Sequence, residues 1–297
     1  MVRSFLAIAP EVADALAAGR PLVALESTLI SHGLPYPANI EVARASEDAV
    51  RESGAVPATV AVRDGRIVVG LRDNDLEALA AAPSGSVRKA ARPSLAAALA
   101  AGGWAATTVS ATMLAAPAAG IRVMAPGGIG GVHRGALGAT GAHAASLDIS
   151  SDLEELARTP MVVVCAGPKA ILDVAVTLEY LETHGVPVLA VGQEQVPGFY
   201  SRTSGVRAPA SAPDLDSATR IVRTHLQLGL GCGILVCVPV PAADALPEDA
   251  VRGAIHRASV EAEESGIRGP ALTPWLLGRI AELTDGASVR ANTALIV

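Results

Sequence analysis

Short apolar runs alternate with longer stretches of helical spacing along most of the chain. Val23 to Leu25 reads as a buried strand that runs directly into Glu26-Ser27-Thr28, so that strand end would present polar side chains to a cleft. Further runs enriched in β-branched residues stand at 121–125, 161–165, 186–191 and 234–238. Each is reached after a helical pattern, which predicts crossover units in a parallel sheet. Helices are expected over 37–52, 75–82, 94–101, 107–119, 169–184, 217–228, 248–265 and 274–284, with Pro117 ending the fourth. Residues 58–71 instead alternate around Asp64-Gly65, a dipeptide suited to the positive backbone angles of a hairpin turn. The expected class is α/β, a mainly parallel central sheet with a small antiparallel hairpin excursion. With no internal repeat and no long linker, residues 1–297 read as one domain.

Composition narrows this picture. Hydrophobic residues make up 51% of the 297 positions and aromatic ones only 2%, so the core must be close-packed from small aliphatic side chains. The formal net charge is −6 and the basic residues are scattered, which argues against a nucleic-acid partner. No apolar stretch reaches the roughly 18 residues of a membrane helix, and no leader pattern opens the chain, so a soluble, non-exported protein is expected. Cys165, Cys232 and Cys237 lie in or near apolar runs without metal-ligand spacing, which predicts buried thiols in a reducing cytoplasm.

One count bears on chemistry. Among 23 Lys and Arg residues only Lys89 and Lys169 are lysines. Arginine replaces lysine wherever a solvated charge suffices, but a guanidinium cannot form an imine with a sugar carbonyl. Lys169 follows the strand ending in Cys165-Ala166-Gly167, and the pattern places it in the first turn of a helix opening at Pro168. The positive end of a helix disfavours an ammonium and favours a nucleophilic amine. The segment Gly127-Gly128-Ile129-Gly130-Gly131-Val132-His133-Arg134-Gly135 could bring backbone N–H groups onto an anion, with His133 and Arg134 adding affinity, or could be a structural turn. Asp148-Ile149-Ser150-Ser151-Asp152 offers either a helix N-cap or oxygen ligands for a hard divalent cation.

Taken together, Ala24-Leu25-Glu26-Ser27-Thr28, Ser31-His32-Gly33-Leu34-Pro35-Tyr36-Pro37, Gly54-Ala55-Val56-Pro57-Ala58-Thr59, the glycine segment and Val164-Cys165-Ala166-Gly167-Pro168-Lys169 resemble the pseudouridine-5′-phosphate glycosidase family, also called indigoidine synthase A-like. Leu178-Glu179-Tyr180-Leu181-Glu182-Thr183, Ser201-Arg202-Thr203-Ser204-Gly205 and Thr273-Pro274 extend the likeness over almost the whole chain. The resemblance implies α/β/α layers, a homotrimer, and a divalent metal, usually Mn2+, beside a pocket for ribose 5-phosphate and its C-linked base. It places the proton donor at Glu26, the imine-forming nucleophile at Lys169 and the metal ligand at Asp148. Ser150, Ser151 and Asp152 fall on substrate-contacting positions, as do Lys89, Thr108, Val109 and Asn292.

Departures from the family pattern concern the base. Pro126 stands where Thr is usual, the passage 136–147 is longer and richer in Ala and Gly, and Val238 replaces a common Asn. An altered pocket wall would admit a larger, flatter aglycone. Two activities are therefore expected: hydrolysis of pseudouridine 5′-phosphate, or a C-glycosynthase reaction joining ribose 5-phosphate to an aromatic polyketide-type aglycone.

Overall fold

The computed structural model describes residues 2–83, 85–138, 147–267 and 272–297. Its strands are β1 (Leu6–Ile8), β2 (Leu22–Leu25), β3 (Val56–Arg63), β4 (Arg66–Val69), β5 (Arg88–Ala90), β6 (Trp104–Thr107) and β7 (Val123–Met124). They continue as β8 (Val132–His133), β9 (Val162–Cys165), β10 (Leu172–Asp173), β11 (Val188–Val191), β12 (Ala210–Ala212) and β13 (Ile234–Cys237). Eleven of these form one sheet with the path β1-β4-β3-β2-β7-β9-β13-β11-β12, to which β6 and then β5 attach through β3. The remaining two, β8 and β10, pair antiparallel as a small separate sheet.

From β2 to β12 every neighbour along the path is parallel. The expected hairpin is present: β3 and β4 pair antiparallel, and Asp64 (φ 48°) and Gly65 (φ 78°) make the turn. It is continuous with the main sheet, because the first half of β3 pairs in parallel with β2.

The helices are α1 (Pro10–Ala17), α2 (Thr28–His32), α3 (Ala38–Glu52), α4 (Asp73–Ala80), α5 (Leu95–Ala101) and α6 (Val109–Ala119). After them come α7 (Ser151–Leu156), α8 (Val174–Thr183), α9 (Leu215–Leu228), α10 (Glu248–Glu264), α11 (Leu272–Leu283) and α12 (Ala287–Ile296). Helix α6 is apolar around most of its circumference, as a helix enclosed on most sides must be, and Ala111, Met113, Ala115 and Ala116 on it are each at most 1% exposed. Pro117 does not end it; the helix runs two residues further and stops at Gly120, which takes the left-handed conformation. A separate apolar cluster joins α10, α11 and α12 to Ala166, Ala170, Phe199 and Tyr200. That helical layer covers the carboxyl edge of the parallel strands. All three cysteines are buried and unpaired, and no helix among the described residues is long and apolar enough to cross a membrane.

The helix expected from residue 169 begins only at Val174, capped by the Asp173 carboxylate accepting from Val176 N–H. Residues 170–173 form a turn and then β10, because Leu172 and Asp173 pair with His133 and Val132. Lys169 therefore does not stand in a first helical turn, and the helix-dipole argument for its amine falls.

Candidate active site

Three adjacent parallel strands, β2, β7 and β9, end on the same side of the sheet, so the segments that follow them are neighbours by construction. Glu26 follows β2, the glycine segment follows β7, and Lys169 follows β9. The last two are joined by backbone hydrogen bonds: Ala166 N–H donates to Gly127 O (3.0 Å), Ile129 N–H to Gly167 O (3.0 Å) and Lys169 N–H to Ile129 O (3.0 Å).

The other side of the site is made differently. β2 runs along Val56–Thr59 in parallel while β6 runs along Ala61–Arg63 in the opposite sense, so the two strands converge on Val60. There the Val60 carbonyl accepts from Ser27 Oγ (2.7 Å) and Thr107 Oγ1 (2.5 Å), and Thr107 N–H donates to Ser27 Oγ (2.9 Å). This buried junction fixes Glu26, which precedes no regular strand pairing of its own. β5, parallel to β6, brings Lys89 to the same place.

A cavity of about 250 Å3 opens where these segments meet. Glu26, Lys89, Lys169 and Gly127-Gly128 line it with polar groups, and Asn292 joins them from α12. Phe199, Tyr200, Pro274, Leu277, Val289 and Ile296 add apolar lining, with Phe199 and Ile296 lying against Gly128 and Gly127. Glu26 Oε2 accepts from Thr28 N–H (2.6 Å) and from the Thr28 hydroxyl, which orients the carboxyl group. Partial desolvation of the Lys89 ammonium, and then the charge on Lys169, lower the Lys89 pKa; the carboxylates of Asp152 and Glu26 oppose the shift. His32 also lines the cavity. Its Nδ1 lies 2.8 Å from Ser31 Oγ, and burial followed by the Lys89 charge lowers its pKa.

The other expected site residues lie beyond Lys89, off the cavity wall. Asp152 is 7% exposed and uses both carboxylate oxygens on backbone donors, Ser110 N–H (2.9 Å) and Gly130 N–H (2.9 Å). It therefore ties α6 to the glycine segment. Ser150 caps α7 by accepting from Asp152 N–H. Ser151 Oγ lies 3.0 Å from Ser110 Oγ, which in turn lies 3.0 Å from Thr108 Oγ1. Val109 is buried at the start of α6. Burial lowers the pKa of half-buried His133, with Asp148 opposing and Lys89 reinforcing, so these groups share one electrostatic field. Arg134 is exposed in a turn.

Within the glycine segment, Gly127 and Gly128 line the cavity, whereas Gly130 and Gly131 are packed closely against side chains. A Cβ on Gly130 would stand 2.2 Å from Ser150 Oγ, and one on Gly131 would stand 2.5 Å from Thr177 Oγ1. For a metal, Asp148 is the one carboxylate beside His133, and no cluster of three or more His, Cys, Asp or Glu side chains among the described residues could hold an ion. Among the described residues the side chains do not make a protein-only metal centre, and His143 lies outside them. Pro126 is buried, Val238 is exposed, and neither lines the cavity; of the passage 136–147, residues 139–146 lie outside the described residues. The altered-wall expectation finds no support at the described positions. His32, Phe199 and Tyr200 were not expected as cavity residues, although His32 stands inside a quoted motif.

Fold and site define a doubly covered α/β protein whose cavity, at the carboxyl edge of a parallel sheet, pairs an amine with a carboxyl group. The chain belongs to the family described as indigoidine synthase A like protein, whose model matches residues 11–297. A relative from Paracoccus denitrificans (strain Pd 1222), named pseudouridine-5′-phosphate glycosidase, is 53% identical over 98% of this chain and 94% of its own. One of the same name from Caldanaerobacter subterraneus subsp. tengcongensis is 50% identical over 98% and 92%. The crystal structure of the prealnumycin C-glycosynthase AlnA in complex with ribulose 5-phosphate superposes with a TM-score of 0.87 at 38% identity, covering 98% of this chain and 92% of that one. An indigoidine synthase A-like protein from Thermotoga maritima gives 0.82 at 33% identity, covering 94% and 89%.

Proposed function

We propose that this protein hydrolyses the carbon–carbon glycosidic bond of pseudouridine 5′-phosphate, giving uracil and ribose 5-phosphate, through an imine on Lys169. The observation that carries the reading is the meeting of Lys169, Glu26 and Lys89, two of them the chain's only lysines, in one cavity. Relatives of that name at 53% identity over nearly the full length support it.

A C-glycoside has no leaving oxygen to protonate, so the paired-carboxylate route of ordinary glycosidases gives little help. Glu26 instead protonates the ring oxygen as the C1′–O4′ bond opens, and Lys169 Nζ bonds to C1′. The nitrogen lone pair then expels the base: the C1′–C5 bond breaks, its electron pair passes to C5, which takes up a proton, and C1′ becomes the iminium carbon. Water hydrolyses the iminium, releasing ribose 5-phosphate and restoring the amine. Lys89, carrying its lowered pKa beside Lys169, binds the open sugar, and Asn292 meets the base from α12. Thr108, Val109, His133, Ser150, Ser151 and Asp152, off the cavity wall, brace the segments behind Lys89 rather than touch the sugar.

The proposal includes a homotrimer and a divalent cation, Mn2+ by resemblance, for which Asp148 would be the expected protein ligand. Such an ion would neutralise charge on the bound sugar phosphate. Light scattering of the purified protein and Mn2+ titration of the chelated wild type and of Asp148→Asn test these two additions. Joining ribose 5-phosphate to an aromatic aglycone is the weaker reading, since AlnA stands at 38% identity and the departures at Pro126 and Val238 lie off the cavity.

Uracil release from pseudouridine 5′-phosphate is the direct test, paired with borohydride trapping of ribose 5-phosphate. The expected result is turnover together with a reduced sugar adduct on Lys169 that is absent from Lys169→Ala. An adduct without uracil release would favour the synthase; no adduct under turnover conditions would end the imine route.

A further inference from the structure

The motif Ser201-Arg202-Thr203-Ser204-Gly205 forms a loop closed on itself. Ser204 donates to Val196 O from both its N–H (3.0 Å) and its Oγ (2.7 Å), Val196 N–H donates to Val206 O (2.9 Å), and Gly198 N–H to Ser201 O (3.1 Å). Two further bonds fasten it to the chain after β13: Arg202 Nη1 donates to Val240 O (2.9 Å), and Leu246 N–H to Tyr200 O (2.8 Å).

What this loop holds is Phe199, at φ 68°. A bulky side chain in the left-handed region is strained and persists only where its surroundings over-determine it. At that angle the ring lies against Gly128, where a Cβ would stand 2.5 Å from Phe199 Cε2 and 2.9 Å from Gly167 O. Gly128 sits between the two backbone rungs that join the glycine segment to the Lys169 loop, Ala166 N–H to Gly127 O and Ile129 N–H to Gly167 O. The Tyr200 ring meets Phe199 edge-on, with centroids 4.8 Å apart. Phe199 lines the cavity yet is only 3% exposed, so it offers substrate little surface. Its rigid contact is with the backbone that carries the nucleophile.

We propose that Phe199 is a positioning residue for Lys169. Its ring, pressed on Gly128, sets the separation of the glycine segment from residues 166–169 and thereby aims the amine at the sugar carbon. The strain at Phe199 is the means by which a flat ring is wedged at that height, and the 201–205 loop supplies the brace. The proposal rests on the imine reading of the site.

Two variants test it: Phe199→Leu, which removes the wedge but keeps an apolar side chain, and Ser204→Ala, which weakens the brace outside the cavity. For Phe199→Leu the expected loss in kcat on pseudouridine 5′-phosphate is about 100-fold, as for a nucleophile misplaced by roughly an ångström. KM should change little, and the rate of borohydride-trapped ribose 5-phosphate on Lys169 should fall by the same factor. Ser204→Ala should lose less in the same two quantities, and it decides the matter alone if Phe199→Leu does not fold. Trapping at the wild-type rate in the folded variants, or a rise in KM with kcat unchanged, overturns the wedge. Wild-type protein that traps no sugar overturns the imine reading and the wedge with it.

Discussion

The two halves of the sheet bring their catalytic groups to the cavity by different means. On the side of β7 and β9 the strands are parallel neighbours, so their exits coincide and backbone rungs carry the pairing onward to Lys169. On the side of β3, β5 and β6 the strands are of mixed direction: Glu26 leaves β2, itself parallel to β7, but is held on its other flank where β2 and β6 meet at Val60, and Lys89 arrives on β5 beside β6. That meeting is held by side-chain hydroxyls, Ser27 and Thr107, both fully buried. Position is thus a consequence of topology in one half and of a buried hydrogen-bond junction in the other. The parallel half should tolerate side-chain changes in position and fail only in chemistry; the mixed half should fail in both.

The largest effect is expected from Lys169→Arg. The charge and the backbone rungs survive, but a guanidinium cannot form an imine, so turnover should fall to background with the melting temperature little changed. Appreciable uracil release by this variant would remove Lys169 from the nucleophile's role. Glu26→Gln comes next, with an expected loss in kcat of about 100- to 10,000-fold, the usual range for a general acid. Its amide can still accept from Thr28 N–H, so the fold should hold; near-normal turnover would contradict the assignment.

Thr107→Val tests the junction itself. Valine keeps the shape but leaves Val60 O one donor short and Thr112 Oγ1 without the acceptor it uses at 2.9 Å. Loss of such buried partners costs about 1–3 kcal/mol, read as a lower urea midpoint. Because Glu26 and Lys89 hang on this junction, kcat should fall as well. A variant equally stable, or less stable but fully active, would mean that the mixed half is positioned by something other than these hydroxyls.

The same contrast governs what could be seen in the sequence. The parallel half announced itself: runs such as Val162–Cys165 and Ile234–Cys237 are apolar and β-branched because both faces are covered. Glu26 at a strand end, and the two lysines, stood out against an arginine-rich background. In the mixed half, Arg88–Ala90 carries two charged side chains in three residues and Trp104–Thr107 is too short to alternate, so neither β5 nor β6 was expected. Their strand conformation comes from tertiary pairing. Residues 170–173 read as helix because Ala170, Ile171 and Leu172 continue the apolar pattern, yet pairing with β8 overrides it. Nor does any local signal mark the positive φ of Phe199, which depends on a loop closed through bonds to Val240 and Leu246.

The smallest expected effect concerns pH and falls again on the mixed half. His32 sits in the cavity beside Lys89, with burial and then that charge lowering its pKa below the ordinary 6.5, while a hydrogen bond with the Val87 backbone opposes the shift. In the unfolded chain the imidazole titrates near 6.5, so between the lowered folded value and 6.5 the unfolded state binds more protons. Stability must therefore rise with pH across that window and be lost as pH falls through it. His133 is shifted in the same direction by burial, so a variant lacking His32 should retain part of the slope. Urea midpoints at about pH 7.5 and about pH 5.5 measure the difference. Wild type should drop more than His32→Gln between the two; equal drops would mean that the ring is as easily protonated folded as unfolded, and that Lys89 does not face it across the cavity.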